Sequence, residues 1–128
     1  MLDIKTIYEL TQNLTTLDTD SLAAVHLDDE DNILLSQKVA EGYMDISLIS
    51  PSEALLNTSK SKAKKIILVH AKTNETEPLI FSHMDKSLMK RLEIGLYRAA
   101  KIELLDYLTI NSNEFISARK EKELPILL

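Results

Sequence analysis

The sequence predicts a mixed α/β or α+β fold, in which helices pack against one mixed β-sheet. Three observations support this prediction: a helical repeat of apolar residues over 85–101, a short apolar run over 66–69, and two pairs of strand-like segments separated by turn-forming residues. The predicted order of elements is helix, two strands, helix, strand, long helix, two strands.

The first quarter of the chain predicts a short helix followed by a hairpin. Over residues 1–16 the apolar side chains fall mainly on one helical face, and residues 16–20 then interrupt the pattern. The segments 21–27 (SLAAVHL) and 33–40 (ILLSQKVA) flank DDEDN at 28–32, a cluster of turn formers. These two segments are therefore expected to pair as a β-hairpin.

A helix start with a clear physical basis follows at Ser50. Its hydroxyl is suited to capping free amides, Pro51 suits the first helical position, and Glu53 completes a capping box. We expect a helix from Pro51 to about Ser59. Four lysines come next and favour a helix end and a turn into the apolar strand 66–69, which ends at His70.

The second half of the chain predicts a loop, a long helix and a second hairpin. Residues 71–81 are polar and predict the loop, and Ser82 and Asp85 repeat the capping-box spacing at the start of a helix that extends to about Lys101. The segments 103–110 (ELLDYLTI) and 114–118 (EFISA) flank Asn-Ser-Asn at 111–113, which predicts the hairpin.

Composition predicts one domain and excludes several kinds of chemistry. With 128 residues, 45% of them hydrophobic, we expect a single domain over 1–128: a lead-in at 1–20, a core at 21–121 and a tail at 122–128. The absence of cysteine excludes disulfides, thiolate metal sites and a cysteine nucleophile. A net charge of −5 disfavours nucleic acid as a partner. We find neither a signal-peptide layout nor a membrane-length apolar run, and expect a cytoplasmic protein.

Between residues 24 and 121 the chain resembles the RadC-like branch of the JAB/MPN (JAMM) domain family. The matching segments, in order, are VHLD (25–28), EGYMD (41–45), PSE (51–53), AKKIILVH (63–70), SHMD (82–85), AKIELLDYL (100–108) and FISARKE (115–121). The family equivalents of four of them are Arg-Gly-Thr-Leu-Asp, Pro-Arg-Glu, Ser-x-x-Asp and Leu-Leu-Asp-His. The resemblance implies a mixed sheet flanked by helices in a three-layer arrangement like that of cytidine deaminases.

The resemblance also implies where a metal site would lie. The family motif is His-x-His, seven residues, then Ser-x-x-Asp, with a separate upstream Glu as general base. Two imidazoles and a carboxylate then hold zinc and leave one position for water. This chain keeps His70 and Asp85 at ligand positions and Ser82 at the position that stabilises the oxyanion.

The chain departs from that motif in three ways. Lys72 stands at the second His position, and an ammonium has no lone pair for zinc at neutral pH. Nine residues, not seven, separate Lys72 from Ser82. The second hairpin strand offers Ser36, Gln37 and Lys38 where the general-base Glu is expected, with Glu41 just beyond. We expect a degenerate motif that binds no zinc cofactor and has little or no hydrolase activity.

Plainer interpretations compete at each of these residues. Ser82 and Asp85 form a helix cap whatever else they do, and His70 can be a packed remnant of a metal site. His26 is expected to be a surface or hydrogen-bonded strand residue. A positive role is also open for Lys72, whose ammonium could occupy the space of the zinc ion and pair with Asp85.

The expected function is that of a RadC-like domain, a family often labelled as DNA repair proteins, that has lost zinc-dependent catalysis. It would act as a binding or assembly module for a protein partner or a second copy. One alternative is an active zinc peptidase or deamidase in which His83, Glu75 or Glu77 completes the site. The other is a nucleic-acid accessory protein, whose candidate contacts are Lys60, Lys62, Lys64, Lys65, Lys90 and Arg91.

Overall fold

A computed structural model describes residues 2–73 and 78–126. The helices in this part are α1 (Ile4–Thr11), followed by a 3-10 turn (Gln12–Thr16), α2 (Tyr43–Ser47), α3 (Pro51–Ala54), α4 (Thr58–Ser61) and α5 (His83–Ala100). The strands are β1 (Ser21–Leu27), β2 (Ile33–Glu41), β3 (Lys65–Ala71), β4 (Glu103–Ile110) and β5 (Phe115–Ser117). None of these helices is long and apolar enough to cross a membrane.

The strands form a mixed sheet in the order β2-β1-β3-β4-β5. Strand β1 is antiparallel to both of its neighbours, β3 and β4 are parallel, and β5 returns antiparallel to β4. Helix α5 makes the crossover between the two parallel strands, as a parallel connection requires. His70 and the start of β1 are neighbours at one end of the sheet, because β1 runs against β3.

Alternating side chains of the sheet build two cores. On one face Leu22, Ala24, Ile66 and Leu68 pack with apolar residues of α5. On the other face the intervening residues of the same strands pack with Ile7 of α1. Helices therefore cover both faces of the sheet, and the expected three-layer α+β arrangement of a JAB/MPN-like domain is confirmed.

Most predicted elements are present with bounds close to those expected, and the helix after Pro51 is the main exception. It stops at Ala54 and resumes as α4 at Thr58, because Asn57 adopts a left-handed conformation with φ of 67°. The Asn57 amide donates a 2.8 Å hydrogen bond to the side-chain oxygen of Gln37 on β2. The predicted continuous helix to Ser59 was therefore wrong, since a contact with the sheet interrupts it.

Strand β5 is shorter than the predicted segment 114–118, and the tail, whose packing the sequence did not predict, contacts α5. Strand β5 is limited to Phe115–Ser117, and the Ser117 hydroxyl donates to the buried Asp106 carboxylate at 2.5 Å. In the tail Leu124 is buried in the core next to α5, and the Ile126 amide donates to both carboxylate oxygens of Glu93. The tail thus packs on α5 as far as residue 126. Residues 74–77 of the predicted loop lie outside the described part.

Helices α3 and α5 approach each other closely at Gly95. A Cβ atom at this position would lie 2.4 Å from the Pro51 Cγ atom, well inside van der Waals contact. Gly95→Ala is therefore expected to lower the free energy of unfolding, because overpacking costs about 1–3 kcal/mol whereas alanine gains about 1 kcal/mol in helix propensity. Urea unfolding followed by circular dichroism measures the change. Adding Pro51→Ala should restore part of the loss; an increase in stability for Gly95→Ala alone would contradict the prediction.

Candidate functional site

The Asp85 carboxylate is the centre of a buried polar cluster. Asp85 lies in the first turn of α5, and its backbone N–H donates to the Ser82 hydroxyl oxygen at 3.1 Å. In return, Asp85 Oδ2 accepts hydrogen bonds from the Ser82 backbone N–H and hydroxyl, both at 2.8 Å. The predicted capping box is therefore formed, and it places a fully buried carboxylate against the end of β3.

His70 lies between two carboxylates. Its Nδ1 atom is 2.8 Å from Asp85 Oδ1, and its Nε2 atom is 3.1 Å from Asp20 Oδ2. Asp20 immediately precedes β1, whose first residues pair with the last residues of β3. The Thr73 backbone N–H holds the other oxygen of Asp20 at 3.1 Å. Asp20 lies outside the segments that carry the family resemblance and was not among the predicted site residues.

The two carboxylates determine the protonation state of His70. Each ionised carboxylate can only accept, so both ring nitrogens must carry a proton for both bonds to form. Burial alone would lower the pKa of His70, but the hydrogen bonds and charges of Asp20 and Asp85 outweigh it and the pKa is raised. Burial acts to raise the pKa of Asp85, yet His70, Tyr107 and Ser82 hold it well below the usual value. The two contacts and these pKa shifts favour the imidazolium form of His70.

Tyr107 provides a further donor to the same carboxylate. Its side chain is fully buried on β4, and the phenol donates a 2.6 Å hydrogen bond to Asp85 Oδ1. Burial raises the pKa of Tyr107 well above its usual value, and the negative charge of Asp85 adds to this effect. Tyr107 stands where the family segment Leu-Leu-Asp-His has its His. The resemblance could therefore have indicated position 107 as a site residue.

Lys72 completes the cluster on the solvent side. Its Nζ atom lies 3.5 Å from Asp85 Oδ2 and donates to the Ile80 carbonyl oxygen at 3.3 Å. Most of the Lys72 side chain is buried, with 14% exposed. The structure thus brings Lys72 and Asp85 together, as the sequence hypothesis required. We call His70, Asp20, Asp85, Tyr107, Ser82 and Lys72 the His70 cluster.

The charges in the His70 cluster balance. His70 and Lys72 carry one positive charge each, and Asp20 and Asp85 carry one negative charge each. Asp20 stays partly exposed, but the charges of His70, Asp85 and Lys72 are fully or largely buried and need good hydrogen bonding to offset the cost of removing them from water. That condition is met at Asp85, whose two oxygens accept from His70, Tyr107 and Ser82 and face Lys72.

The donor set in this arrangement does not fit zinc. Zinc needs ligand lone pairs, whereas both nitrogens of His70 are donors and Lys72 offers only N–H groups. Across residues 2–73 and 78–126, no group of three or more His, Cys, Asp or Glu side chains is arranged to hold a metal ion. Of the alternative ligands, His83 is exposed on the first turn of α5, and Glu75 and Glu77 lie outside the described residues.

The place expected for a general base holds other interactions. Gln37 on β2 donates to the Leu56 carbonyl oxygen at 2.5 Å and accepts from the Asn57 amide. Lys38 and Glu41 form an ion pair with each other at the exposed edge of the sheet. The contacts that these side chains make are with the 56–57 turn, with His26 and with each other.

His26 is not at the surface, although it is hydrogen-bonded. It is fully buried, and its Nδ1 atom is 2.7 Å from the Ser61 hydroxyl, while Nε2 is 3.5 Å from the Gln37 amide nitrogen. The Gln37 amide can only donate, so Nδ1 carries the proton and donates to Ser61. Burial lowers the pKa of His26. This tautomer makes His26 a link between β1 and α4 rather than a base that activates Ser61.

The lysine segment, residues 60–65, begins within α4 and is only partly available for a ligand. Lys60, Lys62 and Lys64 are exposed, but Lys65 pairs with Asp31 of the acidic turn at 2.8 Å. Arg91 donates to the carbonyl oxygens of Ser47 and Ile49, so it serves to hold α2 against α5. The structure thus places acidic side chains next to the lysine segment.

Comparison with known proteins places the chain in a family. The family model for the RadC-like JAB domain matches residues 2–124. A UPF0758 protein of Finegoldia magna is 31% identical over 104 residues, covering 80% of this chain and 45% of that protein. A UPF0758 protein of Clostridium perfringens is 32% identical over 113 residues, covering 87% and 47% of the two chains.

A third relative extends the match over nearly the whole chain. The UPF0758 protein of Chlorobium phaeovibrioides is 28% identical over 120 residues, covering 92% of this chain and 52% of that protein. The chain spans about half the length of the curated relatives it matches. The match includes β3, the start of α5 and β4, which carry the His70 cluster, and the chain belongs to the RadC-like JAB domain family.

Proposed function

We propose that this RadC-like JAB domain has exchanged the zinc centre of the family for an internal ion-pair network and acts as a binding or assembly module. The observation that carries the proposal is the position of His70 between two carboxylates, with Lys72 on the far side of Asp85. Two protein cations then supply the positive charge that a metal ion would bring. The domain keeps the shape of the site without its open coordination position.

Zinc binding would have to undo this network. His70 would lose a proton that Asp20 and Asp85 stabilise, and Lys72 would have to leave Asp85 or lose its own proton. Removing a proton from His70 costs more free energy because its pKa is raised, and this cost weakens metal affinity. Losing the hydrogen bonds between His70 and the carboxylates of Asp20 and Asp85 weakens it further. At the β2 positions expected for the general base, Gln37 holds the 56–57 turn, and Glu41 at the end of the strand pairs with Lys38.

A protein is a better candidate partner than nucleic acid. The net charge of −5 opposes a phosphate backbone, and the acidic turn at 28–31 lies next to the lysine segment through the Asp31–Lys65 pair. The names of the relatives state no activity, and it is the residues of this chain that support a binding role.

Metal content and zinc affinity test the proposal directly. Untagged protein, purified without chelator or metal-affinity resin, is expected to contain substoichiometric zinc by mass spectrometry. Calorimetric titration with zinc should show no saturable site at neutral pH, and zinc should leave the melting temperature unchanged. One equivalent bound with sub-micromolar affinity, and weakened by His70→Ala, would overturn the proposal and favour the zinc hydrolase.

Replacing Lys72 by His is expected to create zinc affinity. The change removes a cation from Asp85 and adds a lone pair at the family's second ligand position, so zinc should bind about tenfold more tightly or better. Calorimetry on the two proteins measures the difference. Lys72→Met is the matched control, since it removes the charge without adding a ligand. Equal zinc affinity for the His and Met variants would contradict this explanation.

A further inference from the structure

Strand β2 forms an open edge of the sheet. It pairs with β1 on one side, and no other strand within 2–73 and 78–126 pairs with its outer side. At nine residues β2 is long for an edge strand, so a row of backbone N–H and C=O groups faces outward. Two irregularities in its pairing with β1 and the charged Lys38 limit unrestricted sheet growth along this edge.

Three hollows follow β2 on alternating sides of the sheet. Hollow A, of about 330 Å³, lies beside Leu34 and Leu35 and is closed by α4. Hollow B, of about 290 Å³, lies beside residues 36–38 on the face covered by α1. Hollow C, also about 290 Å³, lies beside Val39 and Ala40 and is closed by α2 and α3. Hollows A and C share the face that α5 covers.

The spacing of the three hollows matches the side-chain repeat of an extended strand added beside β2. Successive side chains of an extended segment point to opposite faces, so residues four apart on one segment share a face. A segment paired with the outer edge of β2 would place side chains four positions apart in hollows A and C. A residue between these two, an odd number of positions from each, would point to the other face and into hollow B. Backbone hydrogen bonds would supply affinity and the hollows would supply specificity.

The charges at the hollows distinguish one occupant from another. Hollow C is lined by the carboxylates of Asp45 and Glu53, and no ion pair in the described part of the chain involves either residue. Leu48, 70% exposed, lies at the same hollow. These features suit a lysine or arginine, whose charged end reaches carboxylates and whose stem covers apolar surface. Hollow A offers the apolar side chains of Leu34 and Leu35.

A second copy of this chain fits less well. Antiparallel pairing of two β2 strands that sets Lys38 of one copy opposite Ala40 of the other leaves Leu35 opposite position 43. Position 43 lies beyond the end of β2, in α2. This register therefore fills hollow C and leaves hollow A without an extended partner. The register with residue 37 opposite residue 37 pairs the strands over their full length, but it sets Leu34 and not a lysine opposite Ala40 at the acidic hollow C.

We propose that the outer edge of β2 is a strand-addition site for an extended segment of a partner protein. The segment places a lysine or arginine in hollow C and an apolar side chain four positions away in hollow A. This inference rests on the binding role proposed above, and its test involves no metal, so each can fail without the other.

Selection from a displayed library of random nonapeptides on the immobilised full chain tests the proposal. We expect enrichment of Lys or Arg four positions from Leu, Ile or Val. The Asp45→Lys variant, with a native melting curve, should instead select Asp or Glu at that position. Glu30→Lys makes the same charge change on the exposed acidic turn and should leave the selected sequences unchanged. Identical preferences for wild type and Asp45→Lys, or no enrichment at all, would overturn the proposal.

The location of binding is tested with one selected peptide. Its addition should shift the backbone amide resonances of β2. Two methylated peptides are then compared, one N-methylated at its odd-numbered residues and the other at its even-numbered residues. Binding should be at least tenfold weaker for the peptide in which the methylated amides face β2. Equal affinity for both methylated peptides, or shifts confined to other elements, would overturn strand addition. Concentration-dependent dimers by sedimentation, with amide shifts of β2 on dimerisation and no peptide binding to the dimer, would assign the edge to a second copy instead and overturn the proposal.

Discussion

Asp85→Ala is expected to lower the free energy of unfolding by about 3–5 kcal/mol, because it removes a fully buried carboxylate from its ion pairs with His70 and Lys72. The Asp85 carboxylate accepts hydrogen bonds from His70, Tyr107 and Ser82 and faces the Lys72 ammonium. Its removal leaves the Lys72 ammonium with only the Ile80 carbonyl oxygen as a partner, and it leaves His70 with Asp20 as its remaining carboxylate. A loss of this size is a large share of the stability of a small domain.

The matched control for this variant is Glu53→Ala. Glu53 closes the capping box of α3 with Ser50, as Asp85 closes that of α5 with Ser82, but it lies at an exposed position. Loss of a cap alone costs about 1 kcal/mol. Urea unfolding of both variants separates the cap from the ion network. Similar losses for the two variants would show that the network contributes little to stability.

A second variant isolates the charge of Lys72. In the Asp85→Ala protein, adding Lys72→Met should recover part of the lost stability, because it removes one of the uncompensated cations. In the wild-type protein the same change should be destabilising, since it removes a partner of Asp85. A Lys72→Met effect of the same sign in both backgrounds would argue against the pairing.

Local patterns predicted most of the fold. The capping boxes at Ser50 and Ser82 and the helical repeat of α5 depend on residues close together in the chain, and each formed where it was expected. Helix α3 ended early because Asn57 reaches Gln37 on β2, a contact across 20 residues. Helical periodicity carries no information about such a contact, so the interruption could not be predicted from the segment alone.

The candidate site was predictable only in part, for a similar reason. His70, Ser82, Asp85 and Lys72 followed from the resemblance, since they lie in matching motifs. Asp20 joins them through the pairing of β1 with β3, which brings residues 50 apart in sequence into contact. Sequence predicted both strands, but the register that sets Asp20 beside His70 depends on the assembled sheet.

The stability of the protein is expected to depend on pH through the His70 cluster. The contribution of His70 and that of the two carboxylates change with pH in opposite directions. The pKa of His70 is raised by folding, so its contribution is fully present below about pH 6.5 and is lost as pH rises through the folded value. The pKa values of Asp20 and Asp85 are lowered, so their contribution is present above about pH 4 and is lost as pH falls. Stability from this cluster should therefore be greatest between about pH 4 and 6.5.

The contribution of His26 to the free energy of unfolding changes with pH in the opposite direction to that of His70, so the two must be measured separately. Burial lowers the pKa of His26, so its contribution is lost as pH falls through the folded value. Urea unfolding of wild type, His70→Gln and His26→Gln between about pH 5 and 9 distinguishes the two. The difference in unfolding free energy between wild type and His70→Gln should be largest near pH 5 and should shrink toward pH 9. A difference that is constant or grows with pH would mean that His70 is neutral in the folded protein, and the proposed ion network would then lack one of its two cations.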